Sequence, residues 1–154
     1  MTSYEALESF AAQLERHITS SGELAVKVVV TPTPVKERGV IIKVSVLKSF
    51  LQGEPPLIRS SRTLRVRVSV AGNAESMTGL RQALEAIEKL DAFFGQANLR
   101  LEAVNDEGHI VGVPNSRIIQ RISQEDSFFD SPDSTEVQEV QNDRIVLITI
   151  PQGA

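Results

Sequence analysis

Two histidines, His17 and His109, are the side chains of this chain best suited to moving a proton near neutral pH. A Ser-His-Asp relay or a zinc site would need partners at recognisable spacing, and none flanks either histidine. His17 lies beside the apolar stripe of a helical segment and reads as a helix-flank residue, while His109 begins a strand beside a turn. There is no cysteine, so disulfides and thiolate metal sites are excluded. The nine glycines are scattered, mostly at turn and helix-end positions, and none belongs to a phosphate-binding loop. Asp126, Asp130, Asp133 and Glu136 fall in one loop and carry the oxygen ligands that a hard cation such as calcium takes. Their spacing is not that of an EF-hand loop, and the glycine such a loop needs is missing. The expectation is a solvated acidic loop over about 125–136, with no catalytic residue, no metal site, no cofactor and no enzyme activity.

What remains is chemistry of association. Phe128 and Phe129 stand together inside the acidic loop. They either anchor that loop to the core or form an exposed aromatic hot spot for a partner. Lys27, Lys43, Arg65 and Arg67 alternate with the apolar residues of their strands and so share the opposite face of a sheet. Sheets that read nucleic acid add aromatic residues for base stacking, and these strand faces offer none. The basic stripe is a solvated face, or else a surface for phosphate or an acidic partner; sequence-specific nucleic-acid binding is not expected.

The elements that would position these residues follow from periodicity. Thr2-Ser3-Tyr4-Glu5 has the form of a capping box. Leu7, Phe10, Ala11, Leu14 and Ile18 then recur on one helical stripe, with a stop at Ser20-Ser21-Gly22. Strands are expected over 24–31, with Val26, Val28 and Val30 on one face, over 40–47, with Ile42, Val44 and Val46, and over 63–71, with Leu64, Val66, Val68 and Val70. Residues 31–39, with Pro32, Pro34 and Gly39, form a turn region. The link over 48–61 turns at Gly53-Glu54-Pro55-Pro56 and is flanked by the apolar pairs Phe50-Leu51 and Leu57-Ile58. It is either a hairpin arm reaching beyond the domain or a loop folded back on its own core. A second helix is expected over 75–94, with Leu80, Ala83, Leu84, Ile87 and Phe94 on one stripe, Leu90 near it, and Gly95 as its stop. Strands over 98–104 and 110–113 flank the turn Asn105-Asp106-Glu107-Gly108. A further strand over 117–123, a short pairing segment at Val137 and Val140, and a closing strand over 144–150 complete the chain. One core should unite Leu64, Val66, Val68, Leu84, Ile87, Val146 and Ile148. The expected fold is α+β, a mostly antiparallel or mixed sheet with two main helices packed on one face, in a single domain over 1–154.

Composition fits that reading. Hydrophobic residues make up 41% and charged residues 23%, which argues against wholesale disorder. The net charge of −4 gives no general attraction to nucleic acid or anionic membranes. No apolar run approaches the ~20 residues that span a bilayer. The first residues lack the layout of a secretory signal, so a cytoplasmic location is expected. Residues 1–72 carry 10 basic against 6 acidic residues, net +4, and residues 73–154 carry 6 against 14, net −8. That asymmetry is chance, or it gives the molecule one basic and one acidic surface suited to head-to-tail association.

The order helix, strand, long hairpin, helix and further strands resembles the tail-terminator (tail-completion) proteins of tailed bacteriophages and of contractile phage-tail-like particles. The resemblance runs through residues 4–18, 26–30, the hairpin 40–70, 80–94 and the closing strand 144–150. It is one of element order, length and pattern, and the acidic region 105–143 departs from it. It implies a structural role: a homo-oligomeric ring, a hexamer, capping a tail tube and contacting tube, sheath or neck proteins. The protein would then assemble in the cytoplasm and end in the particle. Under that reading Phe50, Leu51, Leu57, Ile58, Arg65, Arg67, Phe128 and Phe129 are the interface candidates. Another neck, connector or baseplate subunit, or a small cytoplasmic protein-binding adaptor, fits the same residues.

Overall fold

The computed structural model describes residues 1–19, 27–30, 40–52, 60–73, 77–122, 128–129 and 139–152. The first helix, α1, spans Ser3–Thr19. Thr2 caps it, its Oγ1 accepting the Glu5 backbone N–H at 3.1 Å, which satisfies one of the donors a helix start leaves unpaired. Leu7, Phe10, Ala11, Leu14 and Ile18 are buried along one side, as their spacing requires.

The main sheet contains β1 (Lys27–Val30), β2 (Val40–Gln52), β3 (Ser60–Asn73), β6 (Arg117–Ile122), the two-residue β7 (Phe128–Phe129) and β8 (Glu139–Gln152). Their order is β1-β2-β3-β8-β6, and β7 pairs with β8 on the stretch that β6 does not reach. Only β1–β2 is parallel; the other pairs are antiparallel. The fold is therefore α+β with a mixed sheet. A separate two-stranded sheet joins β4 (Glu102–Val104) to β5 (Ile110–Gly112) across the turn at 105–108, where Gly108 takes φ 83°.

Both helices cover one sheet face. Val66, Val68, Val70, Val146 and Ile148 on that face form a single core with Phe10 and Leu14 of α1 and with Ala83, Ile87 and Leu90 of α2 (Met77–Phe94). Alternation along β3 is complete, with Leu64, Val66, Val68 and Val70 buried and Arg65 and Arg67 exposed.

Leu84 is a correction: it is 44% exposed and does not join the core. The buried stripe of α2 runs through Ala83, Ala86, Ile87, Leu90 and Phe93 instead. Each helical residue advances about 100° around the axis, so Leu84 and Phe93 lie on opposite flanks of that stripe. The α1 side wins, because Phe93 meets Phe10 and His17 at ring-centroid separations of 6.3 and 5.2 Å. Val46 departs from expectation as well. It pairs with buried Val66, yet it is 43% exposed. Immediately after it a bulge at Leu47 shifts the β2–β3 register by one residue.

Several strands outrun their expected ends. β2 continues to Gln52 and β3 starts at Ser60, so residues 48–52 and 60–61 of the link are paired strand, with β8 running alongside β3 as far as Gln152. Pro151 is paired within β8 instead of ending it. Of the strand expected over 24–31, the described residues Lys27–Val30 form β1, and the strand expected to begin at residue 98 starts at Glu102. The lead-in to β4 is held by side chains. Gln13 of α1 donates to the Arg100 carbonyl at 3.0 Å and accepts from the Glu102 N–H at 3.1 Å, taking the place of a neighbouring strand.

Candidate interaction surface

The sheet face away from the helices is built by the odd positions of β3 and β8 and by the residues in register with them. Across the strands it reads Lys43, Ser69, Asp143; then Ser45, Arg67, Ile145; then Lys48, Arg65, Leu147, Ile119; then Thr63, Thr149, Arg117. Arg65, Arg67 and Arg117 are exposed, Ile119 is exposed, and Ile145 and Leu147 are half-buried. Among the described residues, this face sets Lys43, Lys48, Arg65, Arg67 and Arg117 against the single carboxylate of Asp143. Arg65, Arg67 and Arg117 join none of the ion pairs seen among those residues. The result is a cationic strip on β2 and β3 beside an apolar one on β8 and β6, with Arg117 at the end of the latter. Guanidinium groups suit such a surface because they are weakly hydrated and present planar donors to carboxylates.

At the β6 end the face runs into a groove of about 500 Å³ lined by Thr63, Thr149, Arg100, Arg117, Asn98 and Asn115. Its wall is made of two turns in which Asn98 and Asn115 take φ of 55° and 60°, a left-handed conformation that asparagine adopts more readily than most residues. The turns are pinned together: the Ile118 N–H donates to the Leu99 carbonyl at 2.9 Å, and the Leu101 N–H donates to Ser116 Oγ at 3.0 Å. On the floor Thr63 and Thr149 share a hydroxyl hydrogen bond of 3.2 Å. Two guanidinium-bearing residues, hydroxyls and amides on fixed turns suit an anionic, hydrogen-bonding guest. Sequence spacing gave no sign of this groove, because its lining comes from four separated stretches of chain.

Of the expected interface residues, Arg65 and Arg67 stand side by side on this face. The backbone of Phe50 is in register with Thr63 and that of Leu51 with Arg62; Phe128 and Phe129 are in register with Gln141 and Val140 of β8. Leu57 and Ile58 lie outside the described residues, as do Asp126, Asp130, Asp133 and Glu136. His17 packs edge-on against Phe93, and His109 sits at the β5 turn with Nδ1 3.5 Å from Glu107. No group of three potential metal ligands occurs among the described residues. None of their helices is long and apolar enough to cross a membrane.

One charged site escaped the sequence pattern. Arg144 of β8 lies on the helix-covered face opposite Val68 and is only 1% exposed. Its Nη1 donates to Asp91 at 2.8 Å and its Nη2 donates to Asn142 at 2.9 Å, while its guanidinium carbon lies 5.9 Å from the centre of the Phe94 ring. This cation ties the last turn of α2 to the sheet, where the helix dipole also favours positive charge. It is a structural anchor, separated by the sheet from the open face. No protein-family model matches the chain, and no curated protein matches it either.

Proposed function

We propose that the chain is a ring-forming structural subunit of the tail-terminator kind, capping the tail tube of a phage or phage-tail-like particle. The observation that carries the reading is the β2–β3 hairpin. It stays paired through Gln52 and Ser61, beyond the bulge at Leu47, with the end of β8 alongside. A limb of that length carrying Phe50 and Leu51 suits contact with a neighbour in a ring. The open, arginine-bearing sheet face supplies a second contact surface, as a subunit that touches two neighbours and a tube requires. On this reading assembly takes place in the cytoplasm, and the partners are copies of the chain together with tube, sheath or neck proteins.

The test shortens residues 50–58 to a tight turn. Native mass and incorporation into particles are then compared with the parent. The expected variant folds, but neither forms rings nor incorporates. A variant that assembles and incorporates like the parent overturns the role of the hairpin. The groove beside Arg100 and Arg117 favours a second reading, an adaptor for acidic protein segments. In that case the parent would bind an acidic peptide as a monomer, and loss of both arginines would abolish the binding.

A further inference from the structure

The helix side of the molecule carries a surface with the layout of the open sheet face and the opposite charge. Between α1 and the β4–β5 hairpin lies a groove of about 670 Å³ lined by Glu5, Glu8, Glu15, Ala12, Val104 and Ile110. Arg16 and Glu102 meet across it at 3.1 Å, tying helix to hairpin. The ion pairs among the described residues do not include Glu5, Glu8 or Glu15. These carboxylates recur at helical spacings of three and seven, so they stack on one side of α1 and repel one another. Ala12 leaves a low point in the ridge between Glu8 and Glu15. Facing it, the hairpin exposes Val104 by 66% and Ile110 by 50%, two residues paired in register on one face. Two exposed aliphatic residues side by side on a two-stranded hairpin of three residues per strand form a small patch that a monomer does not need.

We propose that the sheet face of one copy seats on this groove of the next copy, head to tail. The inference rests on the ring reading above and names the surfaces that would build the ring. Apolar Ile119, Leu147 and Ile145 would meet the Val104–Ile110 hairpin, while Arg65 and Arg67 reach Glu8 and Glu15. The occupant is a second copy because one molecule carries both halves of the match. It cannot join them itself: α1 lies on the covered side of the sheet and the arginines lie on the other. A contact between two different patches is heterologous, and it propagates from copy to copy until rotation closes it into a ring. Charge therefore sorts by layer, with acidic α1 belonging to the half of the sequence whose net charge is positive.

The test uses two double variants at exposed positions: Arg65→Glu with Arg67→Glu, and Glu8→Lys with Glu15→Lys. Thermal melting checks that both fold, and sedimentation of the full chain over a concentration series at low salt reads association. Each variant alone should need roughly tenfold or more higher concentration than the parent to associate, because like charges then face each other at every contact. An equimolar mixture should recover parental association, since each type then presents a complementary patch to the other. Association of the parent with both variants unaffected overturns the interface and leaves a ring to be built by the hairpin. Loss in the arginine variant alone, without rescue in the mixture, indicates a sheet-to-sheet contact and overturns the head-to-tail arrangement. A parent that stays monomeric at the highest attainable concentration overturns this inference, and the ring reading is then decided separately by incorporation into particles.

Discussion

Arg67 and Arg144 sit on neighbouring strands, one step apart in register, and have opposite fates. Arg67 pairs with Ile145 and is exposed; Arg144 pairs with Val68 and is buried among the helices. The two faces of one sheet thus use the same residue type for different ends. On the covered face a guanidinium must have its donors met, and Asp91 and Asn142 meet two of them. On the open face Arg65 and Arg67 are exposed and join no ion pair among the described residues. An open face built from charge and a few aliphatic residues costs the fold little to change, whereas the anchor cannot be changed without consequence.

The largest expected effect breaks the comparison from the covered side. Arg144→Ala removes the hydrogen bonds to Asp91 and Asn142, leaves buried Asn142 without that donor and opens a cavity beneath α2. Truncating a large, fully buried side chain to alanine typically costs about 3–5 kcal/mol. Arg144→Met keeps most of the volume and should cost clearly less. Chemical denaturation reads both, and a parental midpoint for Arg144→Ala would show that the anchor carries no weight.

Next in size, Val66→Ala at the centre of the covered face should cost about 2–3 kcal/mol, whereas Leu84→Ala should cost under about 1 kcal/mol because half of that side chain already meets water. Equal costs would contradict the helix rotation described here. Smaller again, Arg65→Ala with Arg67→Ala should leave stability within about 0.5 kcal/mol of the parent, as exposed substitutions do. A large loss would mean that these arginines belong to the fold.

Legibility from sequence divides along the same line. The cap at Thr2, the stripe of α1 and the alternation of β3 were readable because each is a local pattern that the buried face enforces. Leu84 was misread because the choice between two flanks of α2 is made by α1, through Phe10 and His17, and not by α2 itself. Arg144 shares the parity of Val146 and Ile148. A charge at that position reads as a strand end, because the partner that permits its burial lies 53 residues away. The parallel β1–β2 pair was not readable either, since Pro32, Pro34 and Gly39 mark a turn without giving its direction. Of the candidate surface, the basic stripe was visible as alternation. The groove at Arg100 and Arg117 and the acidic ridge facing the β4–β5 hairpin arise only when separated segments meet.

The smallest expected effect sharpens the comparison, because it reports on the acidic side without disturbing the fold. Tyr4 is the only tyrosine, so the phenolate absorbance of the native protein follows one group. A hydrogen bond to Glu8, and then the negative charge of that carboxylate, raise its pKa above the ordinary value of 10.0. The raised value means that the fold favours the protonated phenol. This slight preference is present below the unfolded pKa and is lost as pH rises through the folded one. Glu8→Ala removes the two largest causes and should bring the midpoint down towards the ordinary value, whereas Glu8→Gln removes only the charge and should lower it by less. Docking of a second copy would bring the guanidinium groups of Arg65 and Arg67 to Glu8. Nearby cations favour the phenolate, so the midpoint of the parent should fall as concentration rises and recover in high salt. A midpoint raised by Glu8 but independent of concentration would place any neighbouring copy away from this groove.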